Sequence, residues 1–108
     1  MELKPVKQRE TFEKRERTEG AAVFMYNSNP GAKEVYVVGE FNNWDPRADR
    51  MVKTKGGFRK TLRLAPGEYQ YKFIVDGEWH NDPSAIRQVP NRFGTTNSII
   101  HVSETPDK

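Results

Sequence analysis

Apolar side chains recur at every second position over short runs of this chain, and no core stretch sustains a 3.6-residue period. Gly20–Tyr26 alternates, with Ala22, Phe24 and Tyr26 on one side. Lys33–Gly39 is valine-rich through Val35, Val37 and Val38. Phe58–Leu64 sets Phe58, Leu62 and Leu64 against Arg59, Thr61 and Arg63; Lys60 interrupts the apolar side, which predicts a position near a sheet edge. Glu68–Asp76 places Tyr69, Tyr71, Phe73 and Val75 on one face and Gln70, Lys72 and Ile74 on the other. Ser98–Val102 closes the pattern with Ile99 and Ile100. Turn residues fall between the runs, at Asn29-Pro30-Gly31, Lys55-Gly56-Gly57, Ala65-Pro66-Gly67 and Asp76-Gly77, with Gly56-Gly57 and Asp76-Gly77 as hairpin candidates. The pattern predicts an all-β fold, an immunoglobulin-like antiparallel β-sandwich of about 7–8 strands.

Composition bounds the function more than the fold. The 108 residues make one domain, large enough to bury roughly two-thirds of its unfolded surface. With no cysteine, disulfides and thiolate zinc sites are excluded. No apolar run approaches the roughly 18 residues of a membrane span, and Met1–Pro5 carries no signal-peptide stretch. The expectation is a soluble, cytoplasmic protein without a membrane partner. Eighteen Lys and Arg against fifteen Asp and Glu leave a net charge of only +3, with the signs interspersed. No basic stripe tracks a phosphate backbone, so no nucleic-acid partner is expected. Residues 1–19 hold six basic and five acidic side chains and read as a charged flexible arm or short helix. Residues 20–102 are the sandwich domain, and 103–108 read as a disordered tail.

Two tryptophans stand out by context. Trp44 lies in Phe41-Asn42-Asn43-Trp44-Asp45-Pro46, and Trp79 follows Asp76-Gly77-Glu78. Both read as loop residues, and large aromatic rings held at loop positions by a rigid scaffold are typical of a binding surface. Rim packing over the core and a protein-contact hot spot are the competing roles. An indole offers a flat apolar face that complements the C–H face of a pyranose. Lys72, from the polar face of its strand, and Asn97, before the last strand, could bond hydroxyls. Catalytic constellations are missing: there is no Cys nucleophile, no Gly-x-Ser-x-Gly elbow and no phosphate-cradling glycine loop. His80 and His101 are far apart, so no metal and no cofactor is expected. Asp45, Asp76 and Asp82 each occupy a bend, and Glu78 reads as solvated, which leaves no evident acid pair for sugar hydrolysis.

Four segments in order resemble carbohydrate-binding module family 48: Val35-Tyr36-Val37-Val38-Gly39-Glu40-Phe41-Asn42-Asn43-Trp44, Tyr69 through Trp79, Asn81-Asp82-Pro83, and Phe93 through Ile100. The family includes the glycogen-binding domains of AMP-activated protein kinase β subunits and the early-set domains of isoamylases and branching enzymes. The resemblance covers residues 20–102 and implies a non-catalytic domain that binds an α-1,4-linked glucan such as glycogen, starch or a maltooligosaccharide. It implies that Trp44 and Trp79 stack on glucose rings, that Lys72 and Asn97 bond hydroxyls, that Phe93 inserts against the helical glucan, and that Thr95 lies beside it. The chain departs from the kinase pattern at Phe93, where an aliphatic residue is usual, and at Thr54, in the region of a regulatory serine. A second reading stays open, an interaction domain that docks on a glucan-metabolising enzyme or kinase without binding sugar. The oligomeric state is left open.

Overall fold

The computed structural model describes residues 19–103, so most of the expected arm (1–19) and tail (103–108) lies outside the described residues. Eight strands form two antiparallel sheets: β1 Gly20–Tyr26, β2 Val35–Gly39, β3 Val52–Thr54, β4 Gly57–Leu64, β5 Gly67–Val75, β6 Glu78–His80, β7 Arg87–Pro90 and β8 Thr96–Val102. One sheet is ordered β1-β4-β3; the other runs β2-β5-β8-β7, with β6 also paired to β5. This is the expected immunoglobulin-like, early-set sandwich. No helix among the described residues is long and apolar enough to cross a membrane.

The alternation read from the sequence becomes the core. Ala22, Phe24 and Tyr26 are buried while Ala21, Val23 and Met25 between them face outward. Val35, Val37, Tyr71, Phe73, Val75 and Val102 come from the opposite sheet. Aromatic rings tie the two layers together. Phe24 meets Tyr71 edge-on at 5.0 Å between centroids, and Tyr26 meets Phe73 at 5.2 Å. Such pairs contribute roughly 0.5–1.5 kcal/mol each beyond area burial. The Tyr69 hydroxyl donates to the Ala65 carbonyl at 2.6 Å, pinning the Ala65-Pro66-Gly67 turn where β5 begins, as tyrosine corners do in related sandwiches.

Three strands carried no usable pattern. β3 and β6 have three residues each and β7 has four, too short for period two to register. Lys60 sits just beyond the last residue of β4 that pairs with β3, which ends at Arg59. It is therefore near an edge, as its polarity predicts, and its ammonium lies 3.9 Å from Asp49. The β2 strand starts two residues later than the valine pattern suggests, because Lys33 and Glu34 are held in the preceding loop by Asp76.

Asp82, which reads as a local bend before Pro83, has a larger role. Its carboxylate is buried and accepts the Tyr71 hydroxyl at 2.6 Å, while its N–H donates to Ser98 Oγ at 2.9 Å. Burial, and next the bond to Asp82, push the Tyr71 phenol well above its ordinary range. This buried network ties the β6–β7 connection to β5 and β8. Every buried side-chain polar atom among the described residues has a partner.

Asp76 and Gly77 form the two-residue β5–β6 turn, with φ of 49° and 88° at the successive positions. That is the left-handed geometry hairpins favour, and Asp and Gly tolerate it. The Asp76 carboxylate accepts the backbone N–H groups of Glu34 at 2.8 Å and Lys33 at 2.9 Å. These bonds, Glu34 first, hold its pKa below the usual carboxylate range. A depressed folded-state pKa stabilises the fold above the ordinary carboxylate value of roughly 3.9. The benefit is lost as pH falls through the folded value. Asp76→Asn keeps a residue suited to positive φ but removes the charge. Melting curves across pH should show the variant less stable than wild type at pH 7, with the two converging below about pH 4.

Candidate functional site

The outward face of β5 decides where a site can form. Tyr69, Tyr71, Phe73 and Val75 turn into the core, so Gln70 and Lys72 turn away from it. On that side lies an open groove of about 690 Å³. Trp44, Lys72, Trp79, Phe93, Thr95 and Asn97, all six residues expected from sequence, line it. So do Glu40, Gln70, Asn91 and Arg92, which the sequence reading missed.

Trp44 is placed by a strained turn. After β2 the chain makes a single 3-10 turn, Glu40–Asn42, and then Asn43 and Trp44 both take positive φ, 57° and 59°. A bulky aromatic at positive φ is a true outlier, of a kind found at ligand clamps and costing on the order of 1–3 kcal/mol. Asn42 holds the turn. Its Oδ1 accepts the Gly39 N–H at 3.0 Å, and its Nδ2 donates to Val37 O at 3.1 Å and Asp49 Oδ2 at 2.8 Å. The Trp44 N–H closes the loop on Gly39 O at 2.9 Å. Phe41 packs inward against Phe24 at 5.3 Å. Each residue of the Phe-Asn-Asn-Trp segment thus has a separate task, and only the last faces the groove.

Trp79 is the middle residue of strand β6 rather than a loop residue, paired with Ile74 and half exposed. Lys72 occupies a gap in the sheet. β8 pairs with β5 up to Tyr71, and β6 begins pairing at Phe73, so neither strand is opposite Lys72 on that edge. On the outward face its ammonium links the two strands, donating to Asn81 Oδ1, just past β6, at 2.5 Å and to Thr96 O, at the start of β8, at 2.8 Å. Desolvation lowers its pKa. One of its three N–H groups is left for a ligand.

The far wall is the loop from Asn91 to Thr95. Asn91 accepts the N–H groups of Phe93 at 2.9 Å and Thr95 at 3.2 Å through one side-chain oxygen. Gly94, at φ 86°, lets the chain reverse. Phe93 is thrust outward with 78% of its surface exposed, and the Arg92 guanidinium lies 5.5 Å from its ring centroid. Asn97 is buried on the floor, linked to Asn91 at 2.9 Å and Gln70 at 3.0 Å. The missed residues left little signal: Glu40 and Gln70 are ordinary polar residues whose partners, each other and Asn97, lie far along the chain. The Asn91 bonds to Phe93, Thr95 and Asn97 are local, and its Asn-x-x-Gly turn was the one available cue.

The family model for the glycogen recognition site of AMP-activated protein kinase matches residues 21–108. The chain belongs to this family. The glycogen recognition domain is 40% identical over 88 residues to the rat 5′-AMP-activated protein kinase subunit beta-2, covering 82% of this chain and 32% of that subunit. To rat subunit beta-1 it is 45% identical over 75 residues, covering 69% of this chain and 27% of that subunit. It therefore spans about a third of the kinase subunits it matches. A crystal structure of maltogenic amylase from S. marinus aligns with a TM-score of 0.62 at 28% identity, covering 82% of this chain and 14% of the amylase.

Gly39 limits how this recognition domain can vary. A Cβ there would lie 2.5 Å from the Gln70 carbonyl oxygen and 2.7 Å from the Phe41 ring. The first contact is with backbone and cannot swing away. Gly39→Ala should cost roughly 1–3 kcal/mol by overpacking. The checks are a lower urea midpoint at unchanged m-value and altered emission from Trp44, whose turn rests on Gly39.

Proposed function

We propose that this glycogen recognition domain holds α-1,4-linked glucan in the groove without acting on it chemically. Trp44 and Trp79 would stack on glucose rings from two sides, and Phe93 would press against the inner, apolar side of the helical chain. Lys72, Thr95 and Asn97 would bond hydroxyls. The observation that carries this reading is that two tryptophans and an exposed phenylalanine from three separate segments line one groove with amide and ammonium donors between them. Such a mixture of flat apolar faces and donors suits a sugar, which alternates C–H patches with hydroxyls.

Non-catalytic binding fits the groove's charges. Among the described residues Glu40 is the one acidic residue lining it, and its Oε1 accepts the Gln70 backbone N–H at 2.9 Å. Hydrolysis of a glycosidic bond employs a pair of carboxylates. Asp45, Asp76, Glu78 and Asp82 all lie outside the lining. The reading extends to a cytoplasmic setting and to a protein partner, an enzyme of glucan metabolism that the domain would bring to its substrate. The kinase subunits and the amylase to which the chain is similar favour that extension.

An open two-platform groove should bind short oligosaccharides weakly, with Kd roughly 10 μM to 1 mM. Tryptophan fluorescence should change on titration with maltoheptaose or β-cyclodextrin and stay constant with cellohexaose. Trp79 lies half exposed on a short strand, so Trp79→Ala should melt close to wild type. Its affinity for β-cyclodextrin should fall roughly ten-fold, the order expected for losing one aromatic stacking surface. Silence toward both α-glucans at millimolar sugar would sink the proposal. A stable enzyme partner retained by the double variant Trp44→Ala, Trp79→Ala would then favour the docking role.

A further inference from the structure

The groove contains a chain of three side-chain amides whose direction is dictated from one end. The Asn91 side-chain oxygen accepts the backbone N–H groups of Phe93 at 2.9 Å and Thr95 at 3.2 Å. A backbone N–H can only donate, so the oxygen of Asn91 must face the loop and its nitrogen must face away. Both Nδ2 hydrogens are then used, one on Thr95 Oγ1 at 2.8 Å and one on Asn97 Oδ1 at 2.9 Å. Asn97 is buried, presents its oxygen to Asn91, and can offer only its nitrogen to Gln70. That nitrogen donates to Gln70 Oε1 at 3.0 Å. Gln70 consequently keeps its oxygen turned inward. Among the described residues no acceptor takes either hydrogen of its Nε2, and Gln70 lines the groove.

We propose that Asn91 sets the direction of the relay Asn91→Asn97→Gln70, and that the Gln70 side-chain amide is a further glucan-contacting donor. The proposal rests on the glucan reading of the groove and deepens it. The floor presents donors: two N–H groups of Gln70, the second Nδ2 hydrogen of Asn97 and the third N–H of Lys72. Such a floor reads sugar oxygens as acceptors, whether hydroxyl, ring or glycosidic. Asn91 is a positioning residue in this scheme, because its own polar atoms are consumed by the protein. Gln70 is the specificity-determining contact. Turning the relay over would consume one of the two Gln70 donors and turn its carbonyl oxygen outward, where it matches only ligand hydrogens.

The direction can be reversed without deleting the loop clamp. In Asn91→Asp one carboxylate oxygen still accepts from Phe93 and Thr95, while the other can only accept from Asn97. The Asn97 amide must then rotate, present its oxygen to Gln70 and draw the Gln70 nitrogen inward. Calorimetric titration with β-cyclodextrin should show binding roughly three- to ten-fold weaker than wild type, the order expected for a hydrogen bond lost on binding, with the melting temperature nearly unchanged. Gln70→Met, which has the length but no donor, should give a similar loss. In amide spectra of the ¹⁵N-labelled wild-type protein, the Gln70 side-chain NH₂ pair should shift on adding β-cyclodextrin, and in Asn91→Asp it should not. Wild-type affinity in both variants, or a Gln70 NH₂ pair indifferent to bound sugar, would overturn the relay while leaving the glucan reading intact. Failure of the wild-type protein to bind would overturn both.

Discussion

Strand β5 is the constraint on which the rest of the domain depends. It is hydrogen-bonded along one edge to β2 and along the other to β8 and then β6. Its inward residues Tyr71, Phe73 and Val75 fill the core, and its outward residues Gln70 and Lys72 line the groove. A slip of one residue would exchange the two sets, burying a lysine and exposing tyrosines. Core stability and site identity are therefore set by one register. Burial of Tyr71 and Phe73 enforces it, and the Tyr69–Ala65 bond and the Asp76-Gly77 turn mark its two ends.

The two walls of the groove are built by the same device at distant places. Asn42 on one side and Asn91 on the other each use a single amide to satisfy several backbone and side-chain groups of a turn. Each turn then holds an aromatic ring in a posture it would not choose alone. Trp44 sits at positive φ, and Phe93 projects into solvent beside Arg92. If these rings hold sugar as proposed, each contact in so shallow a site would gain little, and ordering the rings in advance would remove an entropic cost that weak binding could not offset. The groove leaves the apolar surfaces of Trp79 and Phe93 uncovered, and a glucan is the class of ligand that would cover them.

The larger part of the fold was legible in local pattern. The alternation at Ala22, Phe24 and Tyr26, and at Tyr69 through Val75, reflects a pleat with one dry face, and that signal survives in sequence. β3, β6 and β7 were not legible, because three or four residues paired at an edge impose little choice on side chains. Asp82 was read too modestly for a related reason: its partners Tyr71 and Ser98 lie far from it along the chain.

Sequence by itself determined the sandwich, the inward faces and, through its resemblance to a known family, the six residues to watch in the groove. These are written in side-chain type and order, since apolar period, turn chemistry and motif spacing are local properties. Tertiary structure alone decided how those residues cooperate. It put Lys72 into the gap where β5 changes partners, moved Trp79 from a loop onto a strand, and brought Glu40, Gln70, Asn91 and Arg92 into the same groove. The physical reason is that a hydrogen bond fixes direction only between groups that meet. Asn91, Asn97 and Gln70 meet because β5, β8 and the loop before β8 converge on one surface of the sheet.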